Sequence, residues 1–409
     1  MKKKFFLIGF VLLSRFCSQS YGQDYNYDPS TTEEFRMRDG LPHFFNKVHA
    51  GEEVRVAYLG GSITAARGWR VKTLAWFKSQ YPNVQFTEIN AAISGTGTGF
   101  GACRIGADIL PHQPDLVLME SRVNGGQGVE RQSVEGIIRQ IKAASPETDI
   151  CFVYTIGEWF KEDIITGKNS EFGSVLEEVA NYYGIPSIDM GIEIVKQEAA
   201  GTLVFKSDIQ KEGIITFSRD GIHPGNDGHE IYTEVISRNF LEMDKIYPKQ
   251  PKNKIKPKLY ENAWELGTLI PIEKTEKSAE WIPVDIQKDS IYRKDFRRTN
   301  GMLRGAVKCT EPGGVIEIEW EGTTLGMHDL TQNNTMVIEV QIDGGETMTY
   351  PRPQDSPRQL YARFAFFPEL KNGKHTAKLT VKELPKGESY YVGQFLQAGT
   401  KSVNPKIEE

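Results

Sequence analysis

The sequence predicts an α/β domain built on a doubly wound, five-stranded parallel sheet, followed by an all-β sandwich of jelly-roll type. Up to about residue 240, short apolar runs alternate with stretches of helical periodicity, as in a parallel sheet covered by helices. Lysine and proline then dominate residues 248–258, and beyond them the hydrophobic pattern changes to a period of two. A chain of 409 residues also exceeds one ordinary core, so two domains are expected.

The N-terminus is predicted to be a targeting segment. Lys2-Lys3-Lys4 precedes an apolar run that is too short to span a bilayer, and Ser20 and Gly22 supply the small residues of a cleavage site. We therefore predict a signal peptide over residues 1–22 and an exported protein, periplasmic or extracellular, with no transmembrane segment. A lipid-anchored form that uses Cys17 is less favoured, because the residues before this cysteine are not small.

Composition and charge narrow the classes of partner. Hydrophobic residues make up 39% of the chain and charged residues 25%, as in soluble globular proteins. A formal charge of -5 without a basic stripe offers little to neutralise phosphates, which argues against nucleic acid as a partner. The histidines and carboxylates do not form a cluster with metal-ligand spacing, so neither a metal nor another cofactor is expected.

Three cysteines remain after removal of the predicted signal peptide: Cys103, Cys151 and Cys309. An odd number permits at most one disulfide and leaves at least one free thiol. Small buried side chains are the favoured interpretation.

The predicted α/β domain covers residues 23–247. Its five strands are apolar runs over residues 54–59, 84–89, 116–119, 150–156 and 185–188. A short helix is predicted before the first strand, and amphipathic helices follow later strands, over residues 41–48, 133–144, 172–183 and 228–240. Right-handed crossovers between parallel strands then give a doubly wound sandwich.

The second domain is predicted over residues 266–409, after a Lys/Pro-rich linker over 248–265. Apolar and polar residues alternate most clearly over residues 316–321, 339–342 and 377–382. Asp343-Gly344-Gly345 follows the second of these runs and is typical of a hairpin turn. The pattern predicts an antiparallel sandwich.

Ser62 stands where the first strand of the sheet ends. The strand runs into Gly60-Gly61, and two glycines permit a tight turn before the serine. Open α/β sheets bind their ligands at this edge, and a serine on a strand-to-helix turn can be an exposed nucleophile. Ser62 can equally be a helix N-cap.

Two further loops are expected at the same edge. Residues 90–101 follow the second strand, and Gly95 is the best-placed backbone donor of this glycine-rich loop. Asn124 follows the third strand, and its amide can donate to a developing oxyanion. Asn124 can also be a plain turn residue, since Gly125-Gly126 comes next.

The fourth stretch is Asp220-Gly-Ile-His223, before the last helix of the domain. A serine hydroxyl needs a base to take its proton, and an imidazole held by a carboxylate serves near neutral pH. A three-residue separation lets one tight loop set the contact between Asp220 and His223. Taken alone, however, this spacing is common.

Together these stretches resemble the SGNH (GDSL) hydrolase family, whose fold is flavodoxin-like. The matching blocks follow the expected strands in the expected order: Gly60-Gly61-Ser62, the glycine of Ile-Ser-Gly95, Glu120-x-x-x-Asn124, and Asp220-Gly-Ile-His223-Pro224. The resemblance implies that Ser62 is the nucleophile, His223 the base and Asp220 its orienting acid. It further implies an oxyanion hole made by the N–H groups of Ser62 and Gly95 and the Asn124 amide.

Two positions depart from the family pattern. Gly61 replaces the usual Asp of the first block, and Gly125 replaces the Asp that often follows the block-three Asn. Versions with Gly-Gly-Ser-Ile-Thr occur in family members that act on carbohydrates. The resemblance and the predicted export therefore imply a carbohydrate O-acetylesterase with an acetylated glycan as substrate.

Substrate contacts are predicted for Trp69 and Trp159, which can stack on sugar rings, and for Arg122, which can meet a carboxylate. Each of these side chains can instead be structural. Two alternative functions remain open: a lipid or aryl esterase of the same family, and a catalytically weak carbohydrate-binding protein.

Overall fold

A computed structural model describes residues 28–126, 128–247, 256–285, 287–289, 303–331, 336–352 and 361–401. The predicted signal peptide over residues 1–22 and residues 248–255 of the predicted linker lie outside these ranges.

A six-stranded sheet forms the centre of the first part of the chain. Its strands, in chain order, are β1 (Phe35–Arg36), β2 (Val54–Leu59), β3 (Phe86–Asn90), β4 (Leu116–Met119), β5 (Asp149–Tyr154) and β6 (Ser187–Asp189). Their order across the sheet is β1-β6-β5-β4-β2-β3, and all neighbours are parallel except β1 with β6. The predicted five-stranded parallel sheet is confirmed, and β1 adds an antiparallel edge strand that the sequence did not reveal.

Helices cover both faces of this sheet. In chain order they are α1 (Pro42–Ala50), α2 (Ser62–Ala65), α3 (Trp69–Gln80), α4 (Thr98–Asp108), α5 (Glu130–Ala144), α6 (Lys161–Ile165), α7 (Glu171–Tyr183), α8 (Met190–Ala199) and α9 (Asn226–Ile246). One apolar core lies beneath α1, α3, α8 and α9, and a second lies beneath α4, α5 and α7. The doubly wound arrangement is therefore confirmed.

A small parallel pair, β7 (Leu203–Lys206) and β8 (Ile215–Ser218), precedes the last helix. This pair leads the chain from α8 back to the carboxyl edge of the sheet.

The C-terminal part is β-rich and forms two antiparallel sheets. Its strands are β9 (Thr268–Pro271), β10 (Glu276–Lys277), β11 (Trp281–Pro283), β12 (Val307–Cys309), β13 (Val315–Gly322), β14 (Thr324–Thr331), β15 (Val337–Ile342), β16 (Thr347–Pro351), β17 (Tyr361–Phe366), β18 (Gly373–Glu383) and β19 (Tyr390–Ala398). One sheet has the order β10-β13-β18-β15-β16, and the other β11-β12-β19-β14-β17 with β9 also paired to β19.

The two sheets share one apolar core. The predicted alternation is visible in β13, where Ile316, Ile318 and Trp320 point inward. Asp343 and Gly344 both have positive φ, of 52° and 67°, and form the predicted hairpin turn between β15 and β16. The jelly-roll topology itself stays a prediction.

The two parts of the chain pack against each other. Residues 256–265 contain neither helix nor strand, yet Trp264 is completely buried in the core that lies beneath α4 and α5. Leu396 and Ala398 of β19 belong to the same core. The β-rich part thus covers the helical face formed by α4 and α5.

Cys103, Cys151 and Cys309 are buried and unbonded to one another. Burial raises the pKa of all three thiols. In the described ranges, no helix has the length and apolar character needed to cross a membrane.

Candidate active site

The nucleophile turn begins where β2 ends. Gly60 lies so close to the backbone of the next strand that a Cβ there would stand 2.9 Å from the Glu120 carbonyl oxygen. The carbonyl oxygen of Gly60 accepts a hydrogen bond of 3.0 Å from the Ile93 N–H, which ties the turn to the loop after β3. Ser62 is the first residue of α2 and stands at the carboxyl edge of the sheet.

The loop between β8 and α9 brings the acid and the base to this turn. Nε2 of His223 lies 2.8 Å from Oγ of Ser62, and Nδ1 of His223 lies 2.7 Å from Oδ2 of Asp220. The other carboxylate oxygen, Oδ1 of Asp220, accepts from the N–H groups of Ile222 and His223 at 2.9 and 2.8 Å and from the Ser218 hydroxyl at 3.0 Å. Hydrogen bonds to both oxygens therefore fix the orientation of the Asp220 carboxylate.

These contacts determine the charge of Asp220. Partial burial by itself raises the pKa of this carboxyl, but the hydrogen bonds from His223, Ile222 and Ser218 outweigh burial and hold the pKa well below its usual range. Asp220 is consequently ionised near neutral pH. With Asp220 accepting from Nδ1, the Nε2 atom of His223 is left to accept the Ser62 proton.

Gly95 and Asn124 flank the nucleophile turn. Gly95 has a φ of 75°, which favours glycine, and it follows the anchored Ile93 by two residues. The Asn124 amide lies against Gly61, since a Cβ at Gly61 would stand 1.9 Å from Oδ1 of Asn124. Within the described ranges, no hydrogen bond to a protein acceptor occupies Nδ2 of Asn124 or the N–H groups of Ser62 and Gly95.

Glu120 lies beneath the turn. In the sequence it stands out only as part of the Glu120-x-x-x-Asn124 motif, without a predicted role. Its side chain is completely buried, and its carboxylate accepts from the hydroxyls of Thr64 at 2.9 Å and Thr155 at 2.7 Å. No pattern in the sequence predicts these contacts, because they join residues from three strand ends.

Two predicted substrate contacts are wrong. Trp69 is completely buried, with its ring 5.6 Å from that of Tyr58, so it cannot reach a sugar. Arg122 is only 2% exposed and donates from both terminal nitrogens to Asp189, at 2.5 and 2.7 Å. Its cation is neutralised inside the protein and cannot meet a substrate carboxylate.

Trp159, the third predicted substrate contact, is exposed, unlike Trp69 and Arg122. Its side chain is 52% exposed, and the neighbouring Glu158 N–H donates to the Gly221 carbonyl oxygen at 2.9 Å. This bond places the Trp159 segment beside the loop that carries Asp220 and His223. Trp159 is therefore available to a ligand at the rim of the site.

The part of the chain that the structure describes holds no group of three or more His, Cys, Asp or Glu side chains suited to a metal ion. At the carboxyl edge of the sheet, a serine, an imidazole and a carboxylate are hydrogen-bonded in series.

Comparisons with known proteins agree with this geometry. A family model described as GDSL-like Lipase/Acylhydrolase matches residues 58–231, a range that contains Ser62, Gly95, Asn124, Asp220 and His223. No curated protein sequence matches the chain.

Similar solved structures extend beyond this range. A two-domain esterase (CEX) active on acetylated mannans, co-crystallised with mannopentaose, has a TM-score of 0.74 at 19% identity and covers 92% of this chain and 99% of its own. A second structure of an esterase of the same description has a TM-score of 0.73 with the same identity and coverage. An acetylxylan esterase from Geobacillus stearothermophilus has a TM-score of 0.34 at 19% identity, covering 46% of this chain and 93% of its own.

At this level of identity, the first two similarities show a shared fold that includes the β-rich part. The α/β part carries the family's motifs at the positions that the sequence indicated. Residues 58–231 of this chain are thus similar to the GDSL-like lipase/acylhydrolase family, whose model they match.

Proposed function

We propose that this protein is a serine esterase that removes O-acetyl groups from a polysaccharide or oligosaccharide. The observation that supports the proposal most is the hydrogen-bonded series from Ser62 through His223 to Asp220. About half of the His223 side chain is exposed, so an ester on a bulky substrate can approach the serine without a channel.

In the first half of the proposed reaction, Oγ of Ser62 attacks the acetyl carbonyl carbon while Nε2 of His223 takes the hydroxyl proton. Asp220 keeps its bond to Nδ1 and stabilises the imidazolium that forms. When the C–O bond to the sugar breaks, His223 gives its proton to the departing sugar oxygen. The acetyl group is then held as an ester on Ser62.

In the second half, a water molecule attacks the acetyl-enzyme. His223 takes a proton from this water and returns it to Oγ of Ser62, and acetate leaves. In both halves the carbonyl oxygen becomes an oxyanion, and the N–H groups of Ser62 and Gly95 and the Asn124 amide would donate to it. Preorganised donors of this kind are worth about 3–4 kcal/mol each in acyl transfer.

Two observations support a carbohydrate substrate. The two-domain esterase active on acetylated mannans shares the fold over 92% of this chain. Trp159 offers an exposed aromatic face beside the Asp220 loop, and aromatic rings are suited to packing on the apolar face of a sugar.

The mechanism is tested with Ser62→Ala. We expect hydrolysis of 4-nitrophenyl acetate to fall by at least about 10³-fold with an unchanged circular dichroism spectrum, because the nucleophile is removed from a preformed turn. Ser145→Ala is the matched control, since Ser145 follows α5 and takes no part in the site. Retained activity in Ser62→Ala would exclude the acyl-enzyme mechanism.

The substrate class is measured with the same wild-type preparation. We expect acetate release from acetylated mannan or xylan oligosaccharides and a preference for acetyl over longer acyl chains in a 4-nitrophenyl ester series. Activity that peaks at long chains would instead identify a lipid esterase, and glycan binding without acetate release would identify a binding protein.

A further inference from the structure

The carboxylate of Glu120 lies directly beneath the nucleophile turn. It follows β4, is completely buried, and accepts hydrogen bonds from the hydroxyls of Thr64 in α2 and Thr155 at the end of β5. The Gly61 backbone also donates a hydrogen bond to this carboxylate. A single side chain thus joins the ends of β2, β4 and β5.

The glycines of the turn contribute no side chains that could hold its shape. Gly60 and Gly61 provide no side chains, and α2 contains only four residues. A side chain at position 61 would have to displace the Asn124 amide, which occupies the space above the turn. Outside the Glu120 contacts, the N–H groups of Ala65 and Ala66 donate to the carbonyl oxygens of the turn, and His223 bonds to the Ser62 hydroxyl. The turn is also held by the Ile93 bond to Gly60 and by Arg70, whose Nε donates to the Thr64 carbonyl oxygen at 2.9 Å.

We propose that Glu120 is a positioning residue that sets the Gly61–Thr64 turn, and through it the orientation of the Ser62 hydroxyl and N–H. This proposal rests on the proposed function, because its effect is read out in ester hydrolysis. Glu120 does not touch the substrate and moves no proton. Its role is to accept three hydrogen bonds from groups that lie on either side of Ser62 and at the next strand.

An ionised carboxylate fits this role, because it offers only acceptors to the two hydroxyls and the backbone N–H group. Burial raises the pKa of Glu120 above the ordinary value of a glutamate, and the hydrogen bonds from Thr155, Thr64 and Gly61 offset only part of this rise. Arg122 also lowers this pKa, although its guanidinium is paired with Asp189. The three hydrogen bonds and the charge of Arg122 are thus the contacts that favour the ionised form of Glu120 against burial.

Glu120→Gln tests the proposal, because it keeps the size of the side chain and replaces one acceptor with a donor. We expect kcat for 4-nitrophenyl acetate to fall by about 10²-fold with KM changed less than about threefold, since a misplaced nucleophile loses rate rather than binding. Glu177→Gln is the matched control. Glu177 is equally buried and accepts from Tyr154 Oη at 2.7 Å, but it lies on α7 away from the turn. The Glu177→Gln variant should be less stable than wild type and keep the wild-type kcat.

A pair of variants at Thr155 separates positioning from simple stability. Thr155→Val keeps the volume and removes the hydroxyl, so we expect kcat to fall about tenfold, and stability to fall as well because a buried carboxylate loses one donor. Thr155→Ser removes a buried methyl and keeps the hydroxyl, so stability should fall while kcat stays within about twofold of wild type. Activity that follows stability in both variants would overturn the proposal.

The outcomes also distinguish this proposal from the proposed function. If Ser62→Ala keeps its activity, the esterase mechanism fails. If Ser62→Ala is inactive but Glu120→Gln folds with a kcat near wild type, only the role of Glu120 is overturned. If Glu120→Gln does not fold, the proposal is tested instead by comparing the kcat of Thr155→Val with that of Thr155→Ser.

Discussion

The space above Gly61 is taken up by the side chain of Asn124. Oδ1 of Asn124 stands where a Cβ at position 61 would be, and Nδ2 would be 3.3 Å from that point. The amide is therefore pressed against the turn with its oxygen inward, which leaves its N–H₂ group to face the site. Glycine at position 61, where the family usually has Asp, is thus the residue that lets Asn124 approach Ser62.

Gly61→Ala tests this arrangement. The added Cβ can be accommodated by moving the flexible Asn124 amide, so we expect stability to change little and kcat for 4-nitrophenyl acetate to fall by about 10²-fold, as when one oxyanion donor is lost. In an Asn124→Ala background, the same substitution should cost less than about threefold, because the displaced group is already absent. If the two effects multiply instead, Gly61 acts through something other than Asn124.

Helix α9 connects the catalytic loop to the rest of the α/β part. It begins three residues after His223, and His229 in its first turns accepts a hydrogen bond of 3.1 Å from the Trp69 N–H at the start of α3. Gly68 lies against the His229 ring, where a Cβ would be only 2.3 Å away. The start of α3 is therefore hydrogen-bonded directly to α9. Nδ1 of His229 must be unprotonated to accept this bond.

This contact predicts a pH dependence of stability. Burial lowers the pKa of His229 to about 4, below the ordinary value of 6.5, and Lys72 adds to the effect. Between pH 6.5 and 4 the unfolded chain binds a proton that the folded chain does not, so the free energy of unfolding falls as the pH falls, by on the order of 2 kcal/mol from this group.

His229→Asn should reduce that loss, because Oδ1 of asparagine can accept from Trp69 without titrating. Urea denaturation at pH 7 and pH 4.5 is the measurement, and the difference between wild type and variant isolates His229 from the other titrating groups. An equal loss of stability in both proteins would contradict the prediction.

Across the whole molecule, the hydrophobic pattern of the sequence predicted the strands well and the buried polar contacts poorly. The strand Val54–Leu59 was placed at its observed bounds, because an uninterrupted apolar run ends at two glycines. Helix α4 was missed and its start was taken as part of a loop. Its glycines at 99 and 101 reduce helix propensity. Gly99 permits a close approach, because a Cβ there would stand 2.8 Å from Val129 and 3.0 Å from Phe366 of β17.

The site could be predicted as far as it consists of motif residues. Ser62, Asp220 and His223 were named from the sequence and meet in space. Arg122 was assigned to the substrate because its partner, Asp189, lies 67 residues along the chain, on a strand that only the sheet order brings beside it. Burial of this kind depends on tertiary contacts, which a single sequence does not display.

The β-rich part contributes directly to the core of the α/β part. Phe100 of α4 lies 4.9 Å from the ring of His328 and 5.9 Å from that of Phe364, both from the second sheet. Trp264 packs on Phe366 with ring centroids 5.0 Å apart, and its carbonyl oxygen accepts from Gln140 of α5 at 2.9 Å. Apolar surface of α4 and α5 that would otherwise meet water is buried by residues from beyond position 256.

We therefore expect the full chain to unfold in a single cooperative transition, with equal calorimetric and van't Hoff enthalpies. Trp264→Ala removes a completely buried side chain at the shared core and should cost about 3–5 kcal/mol, lowering that one transition. Trp281→Ala, inside the core of the β-rich part alone, should lower the same transition. Two separate transitions, with Trp281→Ala shifting only one of them, would show that the two parts fold independently.

The α4 helix leads directly from the Gly95 loop, and its Thr98 N–H donates to the Gly125 carbonyl oxygen at 3.1 Å. Loosening the shared core should accordingly reduce ester hydrolysis at temperatures below the unfolding transition, although no residue of the β-rich part reaches Ser62 in the hydrogen bonds of the described ranges.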